Sequence, residues 1–218
     1  MPMTLTEDKP FIPGTLGWTA DDLDDPQIEA LWEQGSYEIV DGVLTTMPAA
    51  YFAGGETLAS LIHVIKSYQD RGGLPGRFSV EVDLILARDR VAKGDSVFLT
   101  RDDSARQKAA AKKARRKDLR RTRILIAPAL VIEVISPGHE RHDEATKRRW
   151  YAEAGIPHYW IVDCFRQMFT CLVLRDGKYD TEVAITGLGT LTPSLFPGLT
   201  LDLAEVWPAD DDEMRGDE

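Results

Sequence analysis

The stretch "ALVIEVISPG", residues 129–138, constrains the fold more than any other part of the chain. Leu130, Val131, Ile132, Val134 and Ile135 make an apolar run of strand length, and Pro137-Gly138 closes it. Such a run reads as a strand buried on both faces. Glu133 stands in its middle. A carboxylate there is costly unless it is paired, protonated or bound to a metal.

Other segments supply neighbours for this strand. "SYEIVDGVLTTMP" reads as two strands around a turn at Asp41-Gly42. From Gly55 to Asp70, Leu58, Leu61, Ile62, Ile65 and Tyr68 recur at helical spacing, and Gly72-Gly73 ends the helix. "RFSVEVDLILA" is a strand with Val80, Val82, Leu84 and Leu86 expected on one face, and "DSVFLT" is a shorter one. "HDEATKRRWYAEAG" reads as a helix closed by Gly155 and Pro157. "HYWIVDC" and "MFTCLVLRDG" suit a hairpin, "KYDTEVAI" a further strand, and "PGLTLDLAEVW" a last strand and turn. Near the start, "TADDLDDPQIEALWEQ" suggests short helical turns with Thr19 as a cap. The order predicts an α/β (α+β) fold, with a mixed central sheet flanked by helices and an N-terminal hairpin.

The expected organisation is an irregular arm over 1–17, one domain over 18–207 and an acidic tail over 208–218. No apolar run approaches the ~18 residues of a membrane span. Met1–Pro10 has no signal-type apolar stretch, so a soluble, cytoplasmic protein with no membrane partner is expected. Cys164 and Cys171, the only cysteines, are expected as free buried thiols, although their spacing also suits the flanks of a hairpin.

Net charge is −10, which by itself argues against nucleic acid. The distribution argues otherwise. Between Arg106 and Arg123 lie ten basic residues, with Asp118 the single acid. This segment, drawn as an exposed basic insertion over 104–123, suits contact with phosphates. Lys112, Lys113, Arg115, Arg116, Arg120 and Arg121 are its candidate nucleic-acid-binding residues. A solvated helix explains the same run equally well.

Four residues carry candidate chemistry: Glu38, Asp95, Glu133 and Lys147. If the strands of Asp95 and Glu133 are neighbours, two carboxylates meet, and a hard cation would relieve their repulsion. Lys147, on the helix that follows, could orient water or steady phosphate charge. Each also has a plain structural reading. Asp95 fits a turn, Glu133 an ion pair with an arginine of the next helix, Lys147 an i,i+4 pair with Asp143, and Glu38 the wet face of a strand.

Taken in order, "YEIVDGVL", "GDSVFL", "LVIEVISPG", "RHDEATKRRWYAEAGIPHYWIVD" and "PGLTLDLAEVW" resemble the Uma-two family, restriction-endonuclease-like proteins of the PD-(D/E)xK nuclease superfamily. The resemblance covers about residues 30–207. It implies a restriction-endonuclease-like fold and a metal-dependent DNA endonuclease. Asp95 and Glu133 would be metal ligands, with Glu38 as a further one and Mg²⁺ or Mn²⁺ as the ion. Asp95, Glu133 and Lys147 would be catalytic. In the superfamily pattern the lysine stands two residues after the second acid. That position is Ile135 here, so Lys147 must reach in from the helix. Gly94 replaces the usual proline before the first acid, and the early helix has glycine where a histidine is common. Tyr151, Tyr159, Trp160 and Asp163 match positions read as architectural. The expected partners are DNA, held by its backbone, and a second copy of the chain. Two alternatives stand beside this reading: a non-catalytic member of the same fold that binds nucleic acid or protein, and an interaction protein whose basic helix docks an acidic partner.

Overall fold

The computed structural model describes residues 9–47, 51–114, 123–135 and 142–208, with the side chains of 142–144 excepted. Residues 1–8, most of the acidic tail, and Arg115, Arg116, Arg120 and Arg121 lie outside the described residues.

The N-terminal hairpin is present, with β1 at Tyr37–Val40 and β2 at Val43–Thr46. Asp41 and Gly42 turn it, with φ of 47° and 82°. Two positive φ values in a row match the right-handed twist of the flanking strands. Before it, helix α1 spans Pro26–Trp32. Its cap is Asp25, whose carboxylate accepts from the Gln27 and Ile28 N–H groups, not Thr19. Thr19 instead donates its hydroxyl and backbone N–H to Asp22.

Helix α2 (Phe52–Asp70) leads into β3 (Gly76–Ala87) and β4 (Arg90–Thr100). Helix α3 (Arg101–Lys113) runs directly off β4, and Thr100 with Asp103 closes a capping box. Then follow β5 (Leu130–Ile135), α4 (His142–Glu153), β6 (His158–Asp163), β7 (Met168–Arg175) and β8 (Lys178–Thr186). The small ladder of β9 (Thr190–Leu191) and β10 (Leu201–Asp202) completes the fold.

The main sheet runs β2-β1-β4-β5-β6-β7-β8, with β3 paired to β4. All its pairings are antiparallel except β5 with β6, which α4 connects. This is the expected mixed sheet flanked by helices. Strand β5 lies at its centre and separates two cores. Leu130 and Ile132 pack with α2 and the C-terminal residues Phe196 and Leu201. Val131 packs with Trp150, Tyr151 and Tyr159 beneath α4. Glu133 alternates with Ile132 and so faces α4.

Two features of β3 and β4 prepare the site. Along one edge, β4 pairs with β1 at Val91 and with β5 from Ser96 to Phe98, so the edge forks between them. The β3–β4 ribbon also changes face. Phe78 and Phe98 pack in the α2-side core, whereas Val82 and Ala92 pack in the α4-side core. In a regular strand, residues 78 and 82 would share a face. The inversion coincides with Glu81, a non-glycine residue at φ 48°, and with a gap in the ladder between Val80↔Ser96 and Val82↔Gly94. Val80 is consequently exposed rather than sharing the face of Val82, Leu84 and Leu86.

The basic segment departs from a free surface insertion. Asp103, Gln107 and Ala111 are buried along α3, and Gln107 bonds the Arg123 carbonyl and the Leu125 N–H. Arg123 is buried against Asp83 at 3.5 Å and Glu29 at 3.8 Å. Lys108, Lys112 and Lys113 are exposed. Among the described residues no helix is long and apolar enough to cross a membrane. Cys164 and Cys171 are both buried and free.

Candidate functional site

On the forked edge of β4, opposite β3, no strand pairs with Lys93, and side chains serve its backbone instead. The Lys93 N–H donates to Glu38 Oε1 at 2.8 Å, and the Lys93 carbonyl accepts from Lys147 Nζ at 3.3 Å. Glu38 comes from β1, on one arm of the fork. Glu133 comes from β5, on the other, and Lys147 from α4 above both. Lys147 Nζ lies 3.1 Å from Glu133 Oε2 and 3.3 Å from Glu38 Oε1. Glu38, Glu133 and Lys147 are 2, 7 and 4% exposed.

Asp95 is half-buried at the point where the ribbon inverts. Its Oδ2 accepts the Val134 N–H at 2.7 Å, across to the strand that bears Glu133. The fourth contact is Tyr151, whose hydroxyl donates to Glu133 Oε1 at 2.5 Å. Tyr151 stands one helical turn beyond Lys147, so both reach the same carboxylate from one face of α4. Arg90 steadies that helix: it lies over the Trp150 ring and binds Asp41, at 2.7 Å, and Glu153.

The electrostatics follow from burial. Loss of water raises the Glu133 pKa to about 8, and the charges of Asp95 and Glu38 push the same way. Lys147 and the Tyr151 hydrogen bond oppose the rise without cancelling it. Burial and the Glu133 charge also raise the Tyr151 phenol well above its ordinary range.

The four residues singled out in the sequence therefore gather at one place. Glu38 is not on a wet face, because β1 lies between β2 and β4 and Lys147 covers it. The ion-pair partner of Glu133 is Lys147 rather than an arginine. Tyr159 and Trp160 are core residues, and Asp163 caps the β6–β7 turn by accepting the Arg166 N–H. Tyr151 packs as expected, but its bond to Glu133 goes beyond an architectural role. Its spacing from Lys147 is the sequence signal for that contact.

The family model described as "Uma2: Putative restriction endonuclease" matches residues 26–204. The chain belongs to the Uma2 family. The match spans Glu38, Asp95, Glu133 and Lys147. A solved structure similar to this Uma2 chain is a "putative nuclease belonging to DUF820" from Anabaena variabilis ATCC 29413. The two share 16% identity with a TM-score of 0.60, over 80% of this chain and 90% of that one. At that identity the likeness concerns the fold. No curated protein matches the chain.

Whether the site suits a divalent cation turns on its donors. Carboxylate oxygens are the hard ligands that Mg²⁺ prefers; Glu38 and Glu133 share the Lys147 ammonium, and the Asp95 charge acts on Glu133. Burial is the first cause of the raised Glu133 pKa, and the Asp95 and Glu38 charges add to it. Among the described residues, however, no group of three or more His, Cys, Asp or Glu side chains is arranged to hold a metal. Asp95 and Glu133 offer oxygen donors of the type Mg²⁺ takes, but both Glu133 oxygens are engaged by Lys147 and Tyr151.

Proposed function

We propose that the chain is a metal-dependent endonuclease of the PD-(D/E)xK type that hydrolyses phosphodiester bonds in DNA. The observation that carries this reading is the approach of Lys147, from the helix after β5, to Glu133 at 3.1 Å, with Asp95 held against the same strand by Val134. Asp95 and Glu133 would hold Mg²⁺ or Mn²⁺, and Glu38 would support them. The ion, when bound, would polarise the phosphoryl group and acidify a water. Lys147 would take the place of the superfamily lysine, which Ile135 leaves vacant, and would orient water and steady developing phosphate charge. Tyr151 would hold the Glu133 carboxylate in position.

Lys112 and Lys113, exposed at the end of α3, would contact backbone phosphates together with Arg115, Arg116, Arg120 and Arg121. The same reading takes the protein to be cytoplasmic and, where both strands are cut, a homodimer.

A second reading, a non-catalytic member of the fold, is favoured by one observation. Both Glu133 oxygens are already engaged, by Tyr151 and by Lys147. Nicking of supercoiled plasmid with Mg²⁺, Mn²⁺ or EDTA separates the two. Cleavage by the wild type that needs metal and disappears in Asp95→Ala supports the nuclease. Metal-independent cleavage, or none in any metal, sinks it.

A further inference from the structure

Glu38 of β1, the Lys93 backbone of β4 and Lys147 of α4 make one crossing between three elements. The same three elements are joined a second time. Arg90, at the start of β4, binds the Asp41 carboxylate through Nε at 2.7 Å and the Glu153 carboxylate through Nη1. Asp41 directly follows β1, and Glu153 ends α4. The guanidinium carbon also lies 5.7 Å from the centroid of the buried Trp150 ring, beneath the same helix. The two crossings are in register. Lys93 and Arg90 are three strand residues apart, about 10 Å. Lys147 and Glu153 are six helix residues apart, about 9 Å. Glu38 and Asp41 are again three apart, and between the crossings Ile39 of β1 pairs with Val91 of β4.

The hairpin turn is fixed by its own backbone, because the Gly42 N–H donates to the Asp89 carbonyl at 2.8 Å. A helix spends its backbone bonds internally, so side chains must dock α4. On its far flank Arg148 donates to the Tyr179 carbonyl of β8 at 2.8 Å. On the flank that faces the site the docking group is Arg90. The Arg90 side chain is 26% exposed, and its two acids are half-exposed. Ion pairs at such exposure add little to stability. A planar guanidinium gripped from two sides adds direction instead. That direction matters most for Lys147, whose ammonium stands 3.1 Å from Glu133 and 3.3 Å from Glu38.

We propose that Arg90 is a positioning residue: by locking the C-terminal end of α4 to the β1–β2 turn, it holds Lys147 between Glu38 and Glu133. This deepens the nuclease reading and rests on it for its catalytic consequence.

The test compares the wild type, Arg90→Met and the double variant Asp41→Asn/Glu153→Gln. Asparagine accepts the positive φ of Asp41, and both acids are half-exposed, so the double variant keeps its fold even where Arg90→Met does not. Three quantities are measured in each protein. The first is the acetylation rate of Lys147 by an N-hydroxysuccinimide ester of acetate, in EDTA, read by mass spectrometry. Lys147 is buried, so its acetylation reports local opening of α4. The second is amide hydrogen exchange in α4 and in the β6–β7 hairpin. The third is kcat and KM for plasmid nicking with Mg²⁺. Acetylation of Lys147 and exchange in α4 should rise about tenfold in both variants, with exchange in β6–β7 unchanged. The kcat should fall about tenfold at constant KM. Unchanged acetylation in both variants overturns the proposal and leaves the nuclease reading standing. A rise shared equally by β6–β7 would make Arg90 a contributor to global stability, and a raised KM with kcat intact would place it in substrate binding; either result overturns the proposal. If the wild type nicks no plasmid, the nuclease reading falls and the catalytic consequence with it, while acetylation still decides whether Arg90 holds Lys147.

Discussion

Glu133 and Lys147 stand 3.1 Å apart, one on the central strand and the other on the helix that follows it. The buried Glu133 carboxyl nevertheless keeps a raised pKa of about 8, because desolvation, Asp95 and Glu38 outweigh the ammonium. The site therefore stores electrostatic stress that a cation or a proton can relieve.

Stability should reflect that stress. An unfolded glutamate titrates near its ordinary value, whereas folded Glu133 holds its proton to about 8. Between those values the native state binds more protons than the unfolded one, so this group's contribution is fully present at low pH and falls as pH rises. Its slope approaches ~1.4 kcal/mol per pH unit and flattens above the folded value. Denaturant unfolding in EDTA from pH 5 to pH 9 measures it, with Glu133→Gln as the reference that lacks the slope. Identical pH dependence in both proteins would mean that Glu133 is already ionised by Lys147.

Removing the ammonium should be the more damaging change. Lys147→Met leaves Glu133 and Glu38 buried without their shared cation and uncovers the Lys93 carbonyl. A loss of about 3–5 kcal/mol is expected at pH 9, above the raised Glu133 pKa of about 8. It should shrink at pH 5, where Glu133 is protonated. A loss of the same size at both pH values would assign it to packing of the lysine stem.

The legible parts of this fold were those written locally. The apolar run of β5 has no exposed alternative, and Asp41-Gly42 specifies its turn. Less was readable where partners are remote. The start of β4 was missed because Lys93 and Gly94 interrupt any alternation, yet β3 pairs with them across the strand. Nothing local announces the inversion at Glu81, since glutamate has no preference for positive φ. Glu38 looked like a surface residue because its cover, Lys147, lies 109 positions later. Arg123 counted toward a basic surface although Asp83 and Glu29 hold it inside.

Tyr151→Phe probes the short bond to Glu133 while keeping the ring against Tyr159. The hydroxyl stabilises the ionised carboxylate, so its loss should move the Glu133 titration to still higher pH. Stability should fall by roughly 1–2 kcal/mol. If cleavage needs ionised Glu133, the acid limb of the pH–rate profile should move upward as well. A profile that keeps its acid limb would detach Glu133 ionisation from the reaction.

Binding to DNA should depend on the exposed lysines of α3 and not on its buried face. Deleting 106–121 would also remove Gln107 and Ala111, which are buried. Replacing Lys112 and Lys113 by Gln leaves the helix packed. If both contact phosphates, the slope of log affinity against log salt should fall by about 2, with cooperative unfolding unchanged. An unaltered slope would remove these two residues from the interface.

Glu133→Gln tests the central residue most directly, because the structure changes what its loss should cost. An isolated ion pair broken at one partner strands the other, at about 3–5 kcal/mol. Here Lys147 keeps Glu38 at 3.3 Å and the Lys93 carbonyl at 3.3 Å, so the cation is not stranded. An amide oxygen can still accept from Tyr151, and repulsion from Asp95 and Glu38 is relieved. In EDTA at neutral pH the variant should lie within ~2 kcal/mol of the wild type. Mg²⁺ should stabilise the wild type by ligand linkage and leave the variant unmoved, and cleavage should vanish. Equal responses to Mg²⁺, with a large loss in EDTA, would make Glu133 a structural partner of Lys147 and leave the proposed nuclease reading without its second acid.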